Sequence, residues 1–442
     1  MTRRPVAGKL LAMPSPQTRP LAATPRPAGV ASAVVAAVVA LAVYAVLHWT
    51  GTGMISDNWA YWQGAISLST GNGYTYFAGP RIEAWPPLFP LYLALWVLAF
   101  GPYGWVLIVA NGLLIVLQAA LWTRLARRLA DDTGIAVPGY VWLLLGLFVG
   151  LFVAVNQRYP FAQSLVYVLL PLLLGHLWAY TRGDVGKGTR LLLLAVVLPL
   201  VHTACFAFTG ATALLIAVLG PRSSRGRVLA ALVLVLPAAA WLAVRLVLGQ
   251  SGSHCVGLGA GQYGPLAYAL QLLHGPGRLL VPDRLGVPIA VMALLWLVAL
   301  GLAVAGPASR LLRFGLAFAG LALGGLFVLF NVAWISASIG GRFVLFVPLL
   351  FVPLLCLATA PRAPRLVAGL LVVAMLPQLY WFGVWAQEQR ITDRLFAEDP
   401  TAFLPHAAYA TRDHLSGPPI RRDGRLLVAP NPTRIETEGT CR

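Results

Sequence analysis

A chain of 442 residues in which 59% are hydrophobic and only 10% charged cannot cover a water-facing surface; soluble domains carry about 25% charged residues. The net charge of +18 is scattered between long apolar runs rather than gathered in one basic block. That pattern excludes a nucleic-acid partner and reads as charge that orients the chain in a membrane. The basic residues are 30 Arg against 2 Lys, which, with the abundance of Ala, Gly, Pro and Leu, points to a GC-rich and bacterial coding sequence.

Residues 1–27 are Pro-rich and basic, without a small-residue cleavage site after a short apolar core, and read as a disordered cytoplasmic tail. Apolar runs then recur at 28–49, 104–124, 134–155, 161–180, 190–204, 205–220, 228–248, 286–306, 312–333, 343–360 and 364–384. A helix needs about 20 such residues to cross a bilayer core roughly 30 Å thick. The expectation is an all-α polytopic membrane protein with about 11 transmembrane helices, its body spanning residues 28–384. With the N-terminus inside, every cytoplasmic loop holds at least two basic residues, among them Arg124, Arg127, Arg128, Arg182, Lys187, Arg310, Arg313, Arg362 and Arg365.

The run PLFPLYLALWVLAF at 87–100 is apolar but only 14 residues long. If it spanned, Arg124, Arg127 and Arg128 would face outward and every later loop would invert. A run this short suits an interfacial or re-entrant segment, so 50–103 reads as one long extracytoplasmic loop. Its Trp59, Tyr61, Trp62, Tyr74, Tyr76 and Trp85 suit the membrane–water boundary. The other outer regions are 156–160, 249–285 and 334–342, and 385–442 forms a small extracytoplasmic C-terminal segment. This topology puts Cys255 and Cys441 outside, where a disulfide can form; two unpaired thiols are the plainer alternative. The four cysteines show no CxxC or Cys/His metal spacing.

Ionisable groups beside a membrane are costly, so each needs a reason. Apart from the tail, the outer side holds three acids, Asp57, Glu83 and Asp283, and six arginines, Arg81, Arg158, Arg245, Arg278, Arg284 and Arg342. Guanidinium forks match phosphate oxygens, so this excess suits a phosphate-bearing lipid; snorkelling to headgroups is the plainer alternative. Residues 56–69 have helical spacing with Ser56 at the N-cap, which puts Asp57, Tyr61 and Ala65 on one face. A carboxylate there can act as general base toward a hydroxyl, or it can simply favour the helix start. Glu83 is a second candidate, or a salt-bridge partner of Arg81. His202, in LVHTACFAF, can contact substrate or serve packing. His254-Cys255 invites a thiol-protease reading, but adjacent residues rarely present both groups to one atom.

Asp57, Tyr61 four residues on, the stretch from Ala65 to Tyr74 (A-x-x-L-x-x-G-x-G-Y) and Trp85-Pro86-Pro87-Leu88-Phe89-Pro90 form one pattern after the first span. The pattern resembles the first outer loop of the GT-C superfamily of membrane glycosyltransferases, which includes protein O-mannosyltransferases and the lipid A aminoarabinose transferase. NQRYPFAQS at 156–164 and GGRFVLFVPLL at 340–350 resemble later segments of the same family, so the resemblance runs loosely from 28 to 360. It implies a polyprenyl-phosphate-sugar-dependent transferase in the plasma (inner) membrane, moving a hexosyl or pentosyl group to a hydroxyl of a glycan, glycolipid or protein outside. Carried over to this chain, it implies Asp57 as general base and Arg342 as a contact to the carrier phosphate; beside them the chain offers Glu83 as a second catalytic candidate and Tyr61, Arg81, Arg158, Gln163 and His202 as candidate substrate contacts. The departures concern the metal: Asn58 replaces a second acid, and the second outer loop offers Gln163 and Asn156 instead of an acid. Both weaken the expectation of a divalent metal cofactor. A transporter or lipid-carrier flippase for envelope precursors is the main alternative function, and a non-catalytic scaffold for envelope assembly is the third.

Overall fold

A computed structural model describes residues 27–49, 51–54, 56–75, 86–157, 160–221, 223–247, 265–281, 286–305, 308–329, 341–398, 408–411, 421–422 and 425–426. The described chain is helical almost throughout. In chain order the helices are α1 (Pro27–Leu47), α2 (Ser56–Ser69), α3 (Leu88–Phe100), α4 (Gly104–Thr133) and α5 (Gly139–Asn156). They continue with α6 (Ala162–Thr181), α7 (Gly188–Val201), α8 (Phe206–Leu219), α9 (Ser224–Val247) and α10 (Pro265–Leu280). The last are α11 (Val287–Ala305), α12 (Ser309–Val328), α13 (Gly341–Val344), α14 (Phe346–Thr359) and α15 (Pro364–Glu398). Four short strands complete the described chain. β1 (Gly51–Met54) pairs antiparallel with β2 (Ala408–Thr411), and β3 (Arg421–Arg422) with β4 (Arg425–Leu426).

Seven described helices are long and apolar enough to cross a membrane: α1, α4, α5, α6, α11, α12 and α15. They coincide with seven of the eleven expected spans. The other four expected spans also form helices: α7, α8 and α14 are short, with 14 residues each, about 21 Å of rise, and α9 has 24. The outward faces are apolar in the manner of a lipid-facing surface: Val304 is 86% exposed, Leu297 67% and Val373 60%. A water-soluble monomer does not present such surfaces over several helices. The fold defines an all-helical, membrane-embedded protein.

Several elements differ from the sequence reading, among them the end of α4, expected at 124 and found at Thr133. The span expected from 134 begins at Gly139, because Gly134 closes α4 in the left-handed conformation (φ 70°) and Pro138 precedes the next helix. The final helix continues past 384 to Glu398, so residues 385–398 belong to α15 rather than to a separate tail. The outer region 249–285 contains a helix, α10, which the sequence reading left unassigned. By contrast, α2 covers the same residues as the helix expected at 56–69. The apolar run after Pro87 is a helix of only 13 residues, about 20 Å long.

Close approach, rather than side-chain interdigitation, joins α1 to α5. Ser32, Ala36 and Ala40 form a fully buried stripe at i, i+4, i+8 on α1. It meets Gly146 and Gly150 on α5. A Cβ built on Gly146 would stand 2.5 Å from the Ser32 carbonyl oxygen, and one on Gly150 would overlap the Ala36 carbonyl. In lipid there is no hydrophobic drive between helices, so small residues that bring backbones together supply the packing energy.

Two interior prolines each free a carbonyl, and a neighbouring side chain takes it. Pro171 in α6 has no N–H to offer the Tyr167 carbonyl, and the Trp122 indole N–H on α4 donates to that oxygen at 3.1 Å. Pro199 in α7 likewise frees the Ala195 carbonyl, which accepts from Thr209 Oγ1 on α8 at 3.4 Å. Substituting Trp122→Phe is therefore expected to strand a buried acceptor and cost about 1–3 kcal/mol. Adding Pro171→Ala restores an in-helix donor, so the double variant should recover part of the loss. Thermal unfolding of the purified variants in one detergent measures that coupling.

At one end of the bundle Arg182 Nη1 donates to the Asp132 carbonyl at 2.7 Å, and Arg127 pairs with Asp131 at 3.2 Å. Exposed pairs of this kind contribute little stability. What they establish is geometric: the ends of α4 and α6 carrying the expected cytoplasmic arginines lie together. The β1–β2 pairing, in turn, brings Ala408–Thr411 beside the segment that immediately precedes α2.

Candidate functional site

The long helix α4 organises a polar seam. Asn111, Gln118 and Trp122 recur at i, i+7 and i+11, one stripe of a helix. Asn111 Nδ2 donates to the Tyr44 hydroxyl on α1 at 3.1 Å. Gln118 Nε2 donates to the Ser164 carbonyl on α6 at 2.9 Å, and Gln118 Oε1 accepts from Gln157 Nε2. Gln118 lies about 21 Å along α4 from Gly104. The break between α5 and α6 is thus recessed deep beside α4. The connection between the two 14-residue helices α7 and α8 forms a second break.

These breaks converge on the start of α14. The Tyr167 hydroxyl bonds to backbone at Leu345 and Phe346. The His202 ring packs on Phe343, with centroids 5.4 Å apart, and its Nδ1 accepts from the Ala204 N–H at 3.1 Å. Gln163 stands four residues before Tyr167, on the same face of α6 and one turn nearer its N-terminus. Among the sequence-predicted residues, then, the fold brings His202 against the residue following Arg342 and sets Gln163 on the face turned toward that same segment.

The remaining sequence candidates are placed as follows. Asp57 is the second residue of α2, in its first turn. Tyr61 is 1% exposed and meets Phe89 of α3 edge-to-face at 5.3 Å. Arg342 belongs to α13. Glu83, Arg81 and Arg158 lie outside the described residues, as do Cys255, Cys441, Asp283 and Arg284. Among the described residues the free cysteines are Cys205 and Cys356, both buried. Helix α2 is a buried element rather than a surface strap: Asn58, Trp62, Gln63 and Ala65 are all within the core. Trp96, Phe100, Tyr103 and Trp105 continue as an aromatic ladder along and beyond α3.

Of the two second-loop positions singled out in the sequence, the fold distinguishes sharply between them. Asn156 Nδ2 donates to the Phe152 carbonyl and to Gln378 Oε1 on α15, both at 2.8 Å, and Gln378 in turn donates to the Leu279 carbonyl of α10. Asn156 is committed to joining three helices. Gln163, 4% exposed, has neither amide atom hydrogen-bonded among the described residues. The same holds for Ser164 Oγ, Gln157 Oε1, Asn111 Oδ1 and Trp62 Nε1. Buried polar atoms without partners are uncommon and call for an explanation.

Sequence reasoning concentrated on charged groups and outer loops, and so missed Tyr44, Asn111, Gln118, Gln157, Ser164 and Gln378. The available signal was a neutral polar residue in the middle of an apolar run, as at Asn111, Gln118 and Gln378. Divalent cations are held by carboxylates together with neutral oxygens, and the described side chains of the seam offer only the neutral amide and hydroxyl oxygens. Among the described residues no group of three or more His, Cys, Asp or Glu side chains gathers. No family model, no curated protein and no solved structure matches the chain.

Proposed function

We propose that the chain is a membrane glycosyltransferase that takes a sugar from a polyprenyl-phosphate carrier and passes it to an acceptor hydroxyl at the extracytoplasmic face. The observation that carries this reading is the set of buried polar side chains at the start of α6, where the Gln163 amide and Ser164 Oγ have no hydrogen-bond partner among the described residues, together with the packing of His202 on Phe343, the residue after Arg342. An apolar bundle gains nothing by burying unpaired amides unless something polar visits them. Support also comes from the helix beginning at Ser56, which carries Asp57 in its first turn and packs into the core.

In this reading Asp57 draws the proton from the acceptor hydroxyl. Arg342, with Arg81 and Arg158, balances the charge of the departing carrier phosphate. Phosphate is a fair leaving group, so a single base and positive charge suffice, without the carboxylate pair of glycoside hydrolases. The direct test incubates the purified full-length protein in nanodiscs with a radiolabelled polyprenyl-phosphate hexose or pentose and an extract of envelope acceptors. Label passing to the acceptor is the expected result; its staying on the carrier with every donor and acceptor offered would reject the transferase.

A second reading, a transporter or lipid-carrier flippase, draws on Asn111, Gln118 and Gln378, which sit within long apolar helices as polar stations along a path would. Uptake of a labelled solute by proteoliposomes, unaffected by removal of polyprenyl phosphates, would favour it.

A further inference from the structure

We propose that the buried polar groups left unpaired where α4 meets the end of α5 and the start of α6, on Gln157, Gln163 and Ser164, bind an uncharged polyhydroxyl group, namely a neutral sugar ring. The inference rests on the glycosyltransferase reading for the identity of the carrier, but not for the chemistry of these groups themselves.

Part of this polar set is already spoken for. Gln118 is engaged at both ends of its amide, donating to the Ser164 carbonyl and accepting from Gln157 Nε2. This wiring fixes Gln157 and the first turn of α6 against α4. Among the described residues, what remains unpaired is Gln157 Oε1, both amide atoms of Gln163, and Ser164 Oγ, on residues that are 6%, 4% and 1% exposed. The set comprises two carbonyl acceptors, an amide donor and a hydroxyl that does either. Sugar hydroxyls both donate and accept, and a cluster of this mixed kind satisfies them without a charge on either side.

Charge excludes the alternatives. No acid occurs between Ala84 and Ala130 or between Thr133 and Gly183, so neither α4 up to its far end nor α5 and α6 offers a carboxylate to an amino sugar. A phosphate would want guanidinium or ammonium groups, and these residues supply none. The set therefore suits the neutral ring, and the phosphate falls to the arginines outside it.

An unpaired amide held ready for a ligand has a signature that a structural glutamine lacks. Removing it should not destabilise the empty protein, because an apolar replacement relieves the cost of an unsatisfied buried group. Gln163→Leu should thus keep or raise the thermal midpoint of the full-length protein in nanodiscs. The binding probes are citronellyl phosphate and its neutral hexose and amino-hexose conjugates, followed by saturation-transfer NMR. The wild type should hold the neutral hexose conjugate at least tenfold more tightly than bare citronellyl phosphate. Gln163→Leu and, as a second variant, Ser164→Ala should each erase most of that increment while leaving citronellyl phosphate binding unchanged.

Equal binding of the sugar-bearing and sugar-free probes by the wild type overturns the proposal, and the unpaired groups are then hydrated only. Tighter binding of the amino-hexose conjugate overturns it as well, as does a sugar increment that survives in both variants. Selective binding of the neutral conjugate by a wild type that transfers no sugar leaves the sugar site standing and rejects the transferase instead.

Discussion

Asp57→Asn is expected to lower sugar transfer by about a thousandfold, within the 100- to 10,000-fold range that a positioned general base contributes. The amide keeps the shape of the carboxylate and removes its ability to take a proton. Asp57 is the second residue of α2, where a carboxylate has a competing role: it favours the positive end of the helix dipole by about 0.3–1 kcal/mol. The two roles differ in what they move. Loss of the dipole interaction alone lowers the thermal midpoint slightly and leaves turnover near that of the wild type. Loss of a base removes turnover and leaves the midpoint and donor binding almost unchanged. Initial rates with a saturating polyprenyl-phosphate sugar, measured beside thermal unfolding of the same preparation, separate the two. Transfer at more than a tenth of the wild-type rate would remove Asp57 as the base.

Gly150→Leu should have the largest structural effect of any single substitution on α5. A Cβ at this position already overlaps the Ala36 carbonyl oxygen, and the contact is backbone rather than the end of a flexible side chain. Neither helix can absorb the added volume locally, because Gly146 is held equally close to Ser32 one turn away. Overpacking costs about 1–3 kcal/mol in cores that can adjust, and a larger loss is expected where two backbones must separate. The effect should spread to the polar seam, since α1 also carries Tyr44, the partner of Asn111 on α4. The expected outcome is loss of the monodisperse peak in size-exclusion chromatography, with Gly150→Ala intermediate. Leu91→Ala, on the exposed face of α3, serves as the control and should elute as the wild type does. A Gly150→Leu protein with an unchanged elution profile and thermal midpoint would contradict the close packing of α1 on α5.

Particular residues show how far the sequence reaches. The apolar runs locate most helices because each must satisfy its own backbone hydrogen bonds within lipid, which leaves few ways to be irregular. Helix α2 was readable from Ser56 and its spacing, and the short α3 from the length of its apolar run alone. Helix α10 was not, because His274, Pro276 and two glycines interrupt its apolar pattern. Its packing is tertiary: Gly277 lies directly against Pro288 at the start of α11, and the Leu279 carbonyl accepts from Gln378 of α15. The candidate site divides in the same way. His202 and the segment bearing Arg342 were marked by charge or by a polar break in an apolar run. Gln118 and Gln157 were not, since a neutral amide inside a span attracts little notice until its partner is known.

The sequence alone determined the membrane setting and the position of most helices. These follow from composition and local periodicity, which act within a few residues. Only the tertiary structure decided that Asn156 serves three helices while Gln163 is left unpaired among the described residues, and that the Tyr167 carbonyl freed by Pro171 is taken by Trp122. The reason is physical. An amide's role depends on whether a donor or acceptor lies within about 3 Å, and here those partners come from helices tens or hundreds of residues away in the chain.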